Sequence, residues 1–294
     1  MVTTTEMKIG MAFPEQVAVL DTESTGVDPQ EARIVTCFIG IMDTATGQVV
    51  ERWSWLVDPG VEIPKGASDV HGITTERARA EGMDPKEAIF QIVQRIDIIH
   101  KRSLALVIMN ASYDMTLIDR EVDRHWPGMR PPVEGHWEYA LEAHEWKPIA
   151  EPDDRLKGDF RWVSDSSPVI FDPMVFDRAV DKYRKGTRKL VDLCRVYGVP
   201  VEENAHDAEA DCRMAGRVAI KLLGHSRLQP LSLSEVHDKL VPTKRNQNAD
   251  LLRFWREVKL PKITAPEERK QLLESIESAK KTGHYWPLIP RGIS

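Results

Sequence analysis

The sequence predicts an α/β protein, a sheet flanked by helices and followed by a C-terminal helical extension. Three observations carry this reading. Short β-branched and apolar runs (17–20, 33–42, 49–57, 104–109 and 169–172) alternate with stretches of helical periodicity. The turn 43–47 (DTATG) joins two of those runs as a hairpin. Residues 225–294 read as helical patterns punctuated by prolines.

The first run, VAVL, ends in Asp21-Thr22-Glu23-Ser24-Thr25-Gly26. Side chains alternate along a strand, so Asp21 and Glu23 share a face. Two like charges held together are costly unless a cation sits between them, and hard oxygen donors suit Mg²⁺ or Mn²⁺. Residues 33–42 and 49–57 continue as strands, antiparallel neighbours of the first because the hairpin turn is short. A polar loop at 67–74 (ASDVHGIT) ends in a helix-start signal. Residues 85–101 form a helix, with Ala88, Ile89, Ile92, Ile96 and Ile99 on one face. The continuous apolar run LALVIM (104–109) suits a strand buried on both sides beside the first one. It stops at Asn110-Ala111-Ser112-Tyr113-Asp114, and a helix to about His125 follows.

Residues 127–168 are rich in Pro, Gly, Trp and charge, and read as an insertion with a short hairpin. Trp126, Trp137, Trp146 and Trp162 suit a small local core better than a base-stacking platform. The pattern resumes with a strand at 169–172, helices at 173–185 and 187–197, and a strongly amphipathic helix at 207–223. Three helical patterns follow (232–241, 246–258 and 265–281), with breaks expected at Pro242 and Pro261. The apolar-proline segment 285–290 is expected to pack back on the body. The chain thus divides into a tail (1–15), a body (16–224) and an extension (225–294).

Composition narrows the class. Hydrophobic residues reach 41%, enough for one good core. The cysteines, Cys37, Cys194 and Cys212, are odd in number and far apart, which argues for reduced thiols and against a zinc site. His125, His136 and His144 match no zinc spacing either, and Asp119 and Asp123 read as solvated helix residues. The first residues lack the basic-then-apolar order of a leader, and no apolar run approaches the ~20 residues that span a bilayer, so a cytoplasmic protein without a membrane partner is expected. Net charge is −6, but residues 225–294 hold 13 Lys+Arg against 8 Asp+Glu. An acidic body with a basic tail fits a carboxylate metal site joined to a handle for a polyanion.

Acids therefore stand at three strand ends or helix starts: Asp21 with Glu23, Asp114, and Asp211, with His206 five residues before the last. Four carboxylates and a histidine suit two-metal phosphodiester hydrolysis, in which one metal lowers the pKa of a bound water and both neutralise the attacking and leaving oxygens. The histidine would take the water's proton. Its position in a loop predicts mobility without substrate.

The ordered motifs Asp21-Thr22-Glu23, Val70-His71-Gly72-Ile73-Thr74, Asn110-x-x-x-Asp114 and His206-x-x-x-x-Asp211 resemble those of the DEDDh 3′–5′ exonucleases, the DnaQ-like family of the proofreading subunit of bacterial replicative DNA polymerase. The segment Arg188-x-Leu190-x-x-Leu193-Cys194-x-x-Tyr197-Gly198 resembles the stretch before the family's last motif. The likeness spans about 16–224, the insertion excepted. It implies a ribonuclease-H-like fold with a mixed five-stranded sheet, and two divalent ions, Mg²⁺ or Mn²⁺. It also implies that Asp21, Glu23 and Asp211 hold one metal, that Asp21 bridges to the second with Asp114 helping through water, and that His206 is the general base. Substrate contacts are implied at Thr22, Ser24, Thr25, His71 and Asn110. Asp207 stands where a sister subgroup has tyrosine. Ser24 replaces a commoner Thr, and the insertion is longer than compact members need. The implied activity is removal of 5′-mononucleotides from single-stranded or frayed DNA 3′ ends by a monomer, with a DNA polymerase as a candidate partner. Its rivals are an RNA-trimming exoribonuclease and a non-catalytic nucleic-acid-binding module.

Overall fold

The computed structural model describes residues 14–126, 169–202, 207–224, 233–282 and 288–289, together with the backbone of 137–140 and 145–148. Three antiparallel strands open the chain: β1 (Gln16–Ser24), β2 (Ile34–Asp43) and β3 (Gln48–Leu56). The first two are almost wholly buried. The third alternates between partly buried and exposed positions, as an edge strand with one wet face does. The short strands β4 (Leu106–Val107) and β5 (Ile170–Phe171) extend the sheet on the other side of β1, parallel to it, in the order β3-β2-β1-β4-β5. This is the expected mixed five-stranded sheet. Within the insertion a two-stranded hairpin pairs Trp137–Ala140 with Glu145–Pro148, as its sequence suggests. The rest of 127–168, with the indole of Trp162, lies outside the described residues.

Helices start where their capping residues stand. The expected loop at 67–74 contains a short helix, α1 (Lys65–His71), which buries no residue and so left no apolar period to read. The helix-start signal is α2 (Thr75–Glu81), whose Thr74 hydroxyl accepts from the Arg77 amide. Helix α3 (Pro85–Lys101) begins on Asp84 with proline at its first position and buries the anticipated stripe of Ala88, Ile89, Ile92, Ile96 and Ile99. Helix α4 (Ala111–His125) follows β4, and α5 (Pro173–Val180) and α6 (Leu190–Tyr197) follow β5 with shorter spans than the sequence suggested. Helix α7 (Ala208–Leu223) packs on β1 and β2.

Two further expectations fail. Pro242 does not end a helix: α8 runs through it from Leu233 to Phe254. Pro242 is solvent-exposed, so the carbonyl it leaves unpaired has access to water, and the Thr243 hydroxyl donates to the Lys239 carbonyl at 2.6 Å beside it. A π-helical turn (Trp255–Lys259) and a 3-10 turn (Leu260–Lys262) follow before α9 (Pro266–Thr282), so only the break near Pro261 occurs. Asp119 is not solvated either. It is 4% exposed and pairs with Arg120, because Leu288 and Ile289 return over this face of α4. The Ile289 amide donates to Thr116 Oγ1 at 2.9 Å and its carbonyl accepts from Arg120 at 2.8 Å. The three cysteines are buried free thiols. His125 pairs with Glu121 at 3.3 Å, within a network that also holds Arg33. Among the described residues no helix is long and apolar enough to cross a membrane.

One glycine sets the depth of α7. A Cβ on Gly216 would lie 2.8 Å from Val19 Cγ1 and 2.7 Å from Met42 Cε, so the helix rests directly on β1 and β2. Val19 is β-branched on a central strand and has little room to turn. Gly216→Val is therefore expected to destabilise the fold by about 1–3 kcal/mol and to displace the helix that carries Asp211. Denaturant melts and activity of the surviving folded fraction check both parts.

Candidate active site

Residues from three separated segments meet where β1 ends. Strand alternation puts Asp21 and Glu23 on one side, as expected, with Thr22 between them on the other. The adjacent β4 ends at Val107, and the chain enters α4 through Asn110, which takes a left-handed conformation (φ 60°, ψ 47°) that asparagine tolerates better than most residues. Asp114 falls on the first turn of α4, is 3% exposed, and points back to β1. Its Oδ1 accepts from both the Thr22 amide (3.1 Å) and the Thr22 hydroxyl (2.6 Å). Asp207 caps α7 by accepting from the Glu209 amide, and its own carbonyl accepts from the Asp211 amide at 2.9 Å, which sets Asp211 on the first helical turn.

Among the described residues, Asp21, Glu23 and Asp211 form a group whose carboxylate oxygens, one from each, lie within 4.8 Å of one another. All three are partly buried. Asp114 stands outside that group, held by Thr22.

The electrostatics are lopsided. Burial pushes the Asp21 carboxyl well above the usual range, and every charged neighbour that adds to it is an acid: Asp114, Glu23, Asp211 and Asp207. Glu23 is pushed up to about 8, first by burial and then by Asp211, Asp114 and Asp207. Burial raises Asp114 to about 7 even though its hydrogen bonds from Thr22 oppose the rise. A cluster in which carboxylates raise one another in this way fits a bound divalent cation, and an all-oxygen donor set fits Mg²⁺ or Mn²⁺.

The remaining sequence-predicted residues that the structure describes take different roles. The Thr22 hydroxyl faces Asp114, as described. Ser24 Oγ donates to the Gly26 carbonyl at 2.9 Å and shares a short hydrogen bond with the Tyr113 hydroxyl, which also bonds Gly26. Thr25 Oγ1 accepts from the Arg33 amide at 2.9 Å, which closes the turn at the strand end. His71, at the end of α1, accepts from the Ile73 amide at 3.2 Å through Nδ1. Its Nε2 is buried without a hydrogen-bond partner among the described residues. Burial lowers the imidazole pKa, with the Ser24 backbone opposing. The side chain of Asn110 is exposed. His206, the expected base, lies outside the described residues.

Two contributors were not read from the sequence. Tyr113 ties α4 to the 24–26 turn, and its place directly before Asp114 was the available signal. Asp172 is fully buried. It caps α5 through the Met174 amide (3.0 Å) and Val175 amide (3.4 Å), and it accepts from the Asn110 amide (3.3 Å) and Ala111 amide (3.1 Å) at the start of α4. The dipeptide Asp172-Pro173 signals a helix cap, but not the second helix it anchors.

A family model described as Exonuclease (RNase_T) matches residues 18–141, from β1 through the first strand of the insertion hairpin. The PolC-type DNA polymerase III of Thermotoga petrophila is 32% identical over 96 residues, 33% of this chain and 6% of that protein. Escherichia coli exonuclease I, solved with a dT13 oligonucleotide, aligns with a TM-score of 0.54 and 18% identity over 81% of this chain and 46% of that one. The zinc-bound form of the same enzyme with single-stranded DNA aligns with a TM-score of 0.52 and 19% identity over 82% and 45%. The chain thus spans a small fraction of the polymerase and under half of the solved chains, and the structural likeness carries the fold.

Proposed function

We propose that this chain, which carries an exonuclease domain of the DnaQ-like type, hydrolyses phosphodiester bonds at the 3′ end of single-stranded or frayed DNA and releases 5′-mononucleotides. One observation carries the reading: Asp21, Glu23 and Asp211, from segments nearly 200 positions apart, converge within 4.8 Å, and the charges that raise Asp21 and Glu23 there are carboxylates. The complexes of exonuclease I with single-stranded DNA support the substrate class, and the PolC-type match supports a polymerase as partner.

In this proposal Asp21, Glu23 and Asp211 would hold one divalent cation, and Asp21 with Asp114 would help to hold a second. Such ions supply Lewis-acid activation of water and neutralise charge on the attacking and leaving oxygens. The chain's own residues do the rest. Thr22 fixes the Asp114 carboxylate. His206 accepts the proton of the attacking water as general base. The Ser24–Tyr113–Gly26 contacts hold the turn against which the terminal nucleotide lies, and His71 offers it a half-buried imidazole beside that turn. The body 16–224 would carry the chemistry, with the insertion 127–168 and the extension 225–294 as additions to it.

The test uses single-stranded DNA labelled at either end, with a matched RNA. The proposal expects 3′-label to be released at once as mononucleotide, 5′-label to shorten stepwise, and RNA to be degraded more slowly. Internal cuts or 5′-first release would overturn it, and preferred cleavage of RNA would replace the substrate with the exoribonuclease alternative.

A further inference from the structure

The C-terminal helices border an open cavity that the proposed reaction does not use. It measures about 740 Å³ and lies between α5, the 186–188 loop, α8, the π-helical turn and α9, within the size range of small-ligand sites. Its charged lining is mostly cationic. Lys244 from α8 is largely buried and Arg178 from α5 half-buried, and neither makes a hydrogen bond or close ion pair among the described residues. Burial holds both below the usual basic range; Arg178 adds to this at Lys244 and Arg188 adds to it at Arg178, while Asp172 and Asp250 respectively oppose it. Arg188 also lines the cavity, with Nε 2.7 Å from Asp177, but that carboxylate is shared with Arg184 at 3.0 Å and the Tyr197 hydroxyl at 2.8 Å. Asp172 faces Lys244 electrostatically, yet its oxygens already accept four backbone amides. Glu274, at the rim, is mostly exposed.

The lining also includes apolar and aromatic residues on the same helices, Met174, Leu251 and Trp255. Trp255 begins the π-helical turn, a rare and costly distortion that concentrates at functional sites. Gln247 and Asn248 tie the walls together rather than fill the space, donating to the Val175 carbonyl at 3.0 Å and the Ala279 carbonyl at 3.1 Å. Cationic groups and an indole spaced along one cavity match a phosphate carried next to an aromatic base.

We infer that this cavity binds one nucleotide unit, with its phosphate against Arg178 and Lys244 and its base against Trp255. The choice of a nucleotide over other aromatic anions rests on the exonuclease reading. The unit comes either from a free mononucleotide, the product class, or from a nucleotide within a bound single strand. Its position has a consequence. Lys244 faces the carboxylate of Asp172, which anchors the start of the helix carrying Asp114, so an occupant here acts on the scaffold of the catalytic cluster.

Calorimetric titration of the full chain in EDTA tests this, because a metal-free carboxylate cluster repels phosphate and leaves the cavity as the binding site. The probes are dTMP, thymidine, inorganic phosphate and the oligonucleotide dT8, with wild type, Arg178→Gln and Trp255→Ala. The polar Gln variant guards against a folding defect in the indole deletion. The expected result is dTMP binding tighter than thymidine or phosphate and weakened at least tenfold in both variants. The same tenfold loss seen only with dT8 supports the strand as source. Equal affinity of both variants and wild type for dTMP and dT8, absence of binding to wild type, or phosphate binding as tightly as dTMP overturns it. Such a failure with intact 3′-end cleavage removes the cavity alone, whereas variant-sensitive binding without any cleavage removes the exonuclease reading alone.

Discussion

Asp21→Asn is expected to lower exonuclease activity about 10³-fold or more while raising the stability of the metal-free protein. The two effects share one cause. Burial disfavours the charged form of Asp21, and the charges that add to the rise are acids. Asparagine keeps the shape and removes that charge, which relieves repulsion with Glu23, Asp114 and Asp211 by on the order of 1–3 kcal/mol. The same change removes a carboxylate from the proposed cation site, and the several kcal/mol of transition-state stabilisation that a bound cation supplies are lost with it. A residue with a purely structural role would lower both quantities. Thermal melts in EDTA beside steady-state rates in Mg²⁺ separate the two cases, and the stability gain should be larger at pH 8.5 than at pH 6, where protons already neutralise part of the cluster.

A second large effect follows from Glu23 and Asp114. Their pKa values rise from 4.5 to about 8 and from 3.8 to about 7 on folding, mainly through burial. The folded protein therefore holds protons that the unfolded chain gives up in the ordinary carboxylate range. This contribution is fully present below about pH 4 and is lost as pH rises through about 8, because stability falls with pH wherever the folded state binds more protons. The melting temperature in EDTA should thus drop between pH 6 and pH 9, and the drop should shrink in Glu23→Gln. A cation has to displace those protons, so the rise in melting temperature on adding Mn²⁺ should be greater at pH 8.5 than at pH 6. A Mn²⁺ shift that is equal at both pH values, or one unchanged in Glu23→Gln, would separate the metal from this cluster.

The sequence revealed those elements whose forces are local. The β1–β2–β3 meander was legible because apolar runs and a five-residue turn sit next to one another, and α3 because its isoleucines recur at helical spacing and its cap is Asp84-Pro85. The short helix Lys65–His71 was missed because it buries nothing. Pro242 misled because a helix tolerates the loss of one hydrogen bond where the freed carbonyl meets water. The site was legible only in part. Strand alternation places Asp21 beside Glu23, but nothing local brings Asp211 to them, and the resemblance in motif order supplied that link. The hold of Thr22 on Asp114, the Tyr113 tie to the Gly26 carbonyl, the return of Ile289 over Asp119 and the approach of Lys244 to Asp172 depend on side chains dozens of positions apart. No period or cap encodes such contacts.

The central claim is that the Asp21–Glu23–Asp211 cluster carries metal-dependent hydrolysis from the 3′ end. A time course of 5′-labelled single-stranded DNA, with wild type and Asp211→Asn in Mg²⁺ and in EDTA, tests it most directly. The predicted result is a stepwise ladder for wild type in Mg²⁺, no shortening in EDTA, and a rate at least 10³-fold lower in the variant. Shortening that persists in EDTA, or a variant as fast as wild type, would contradict it.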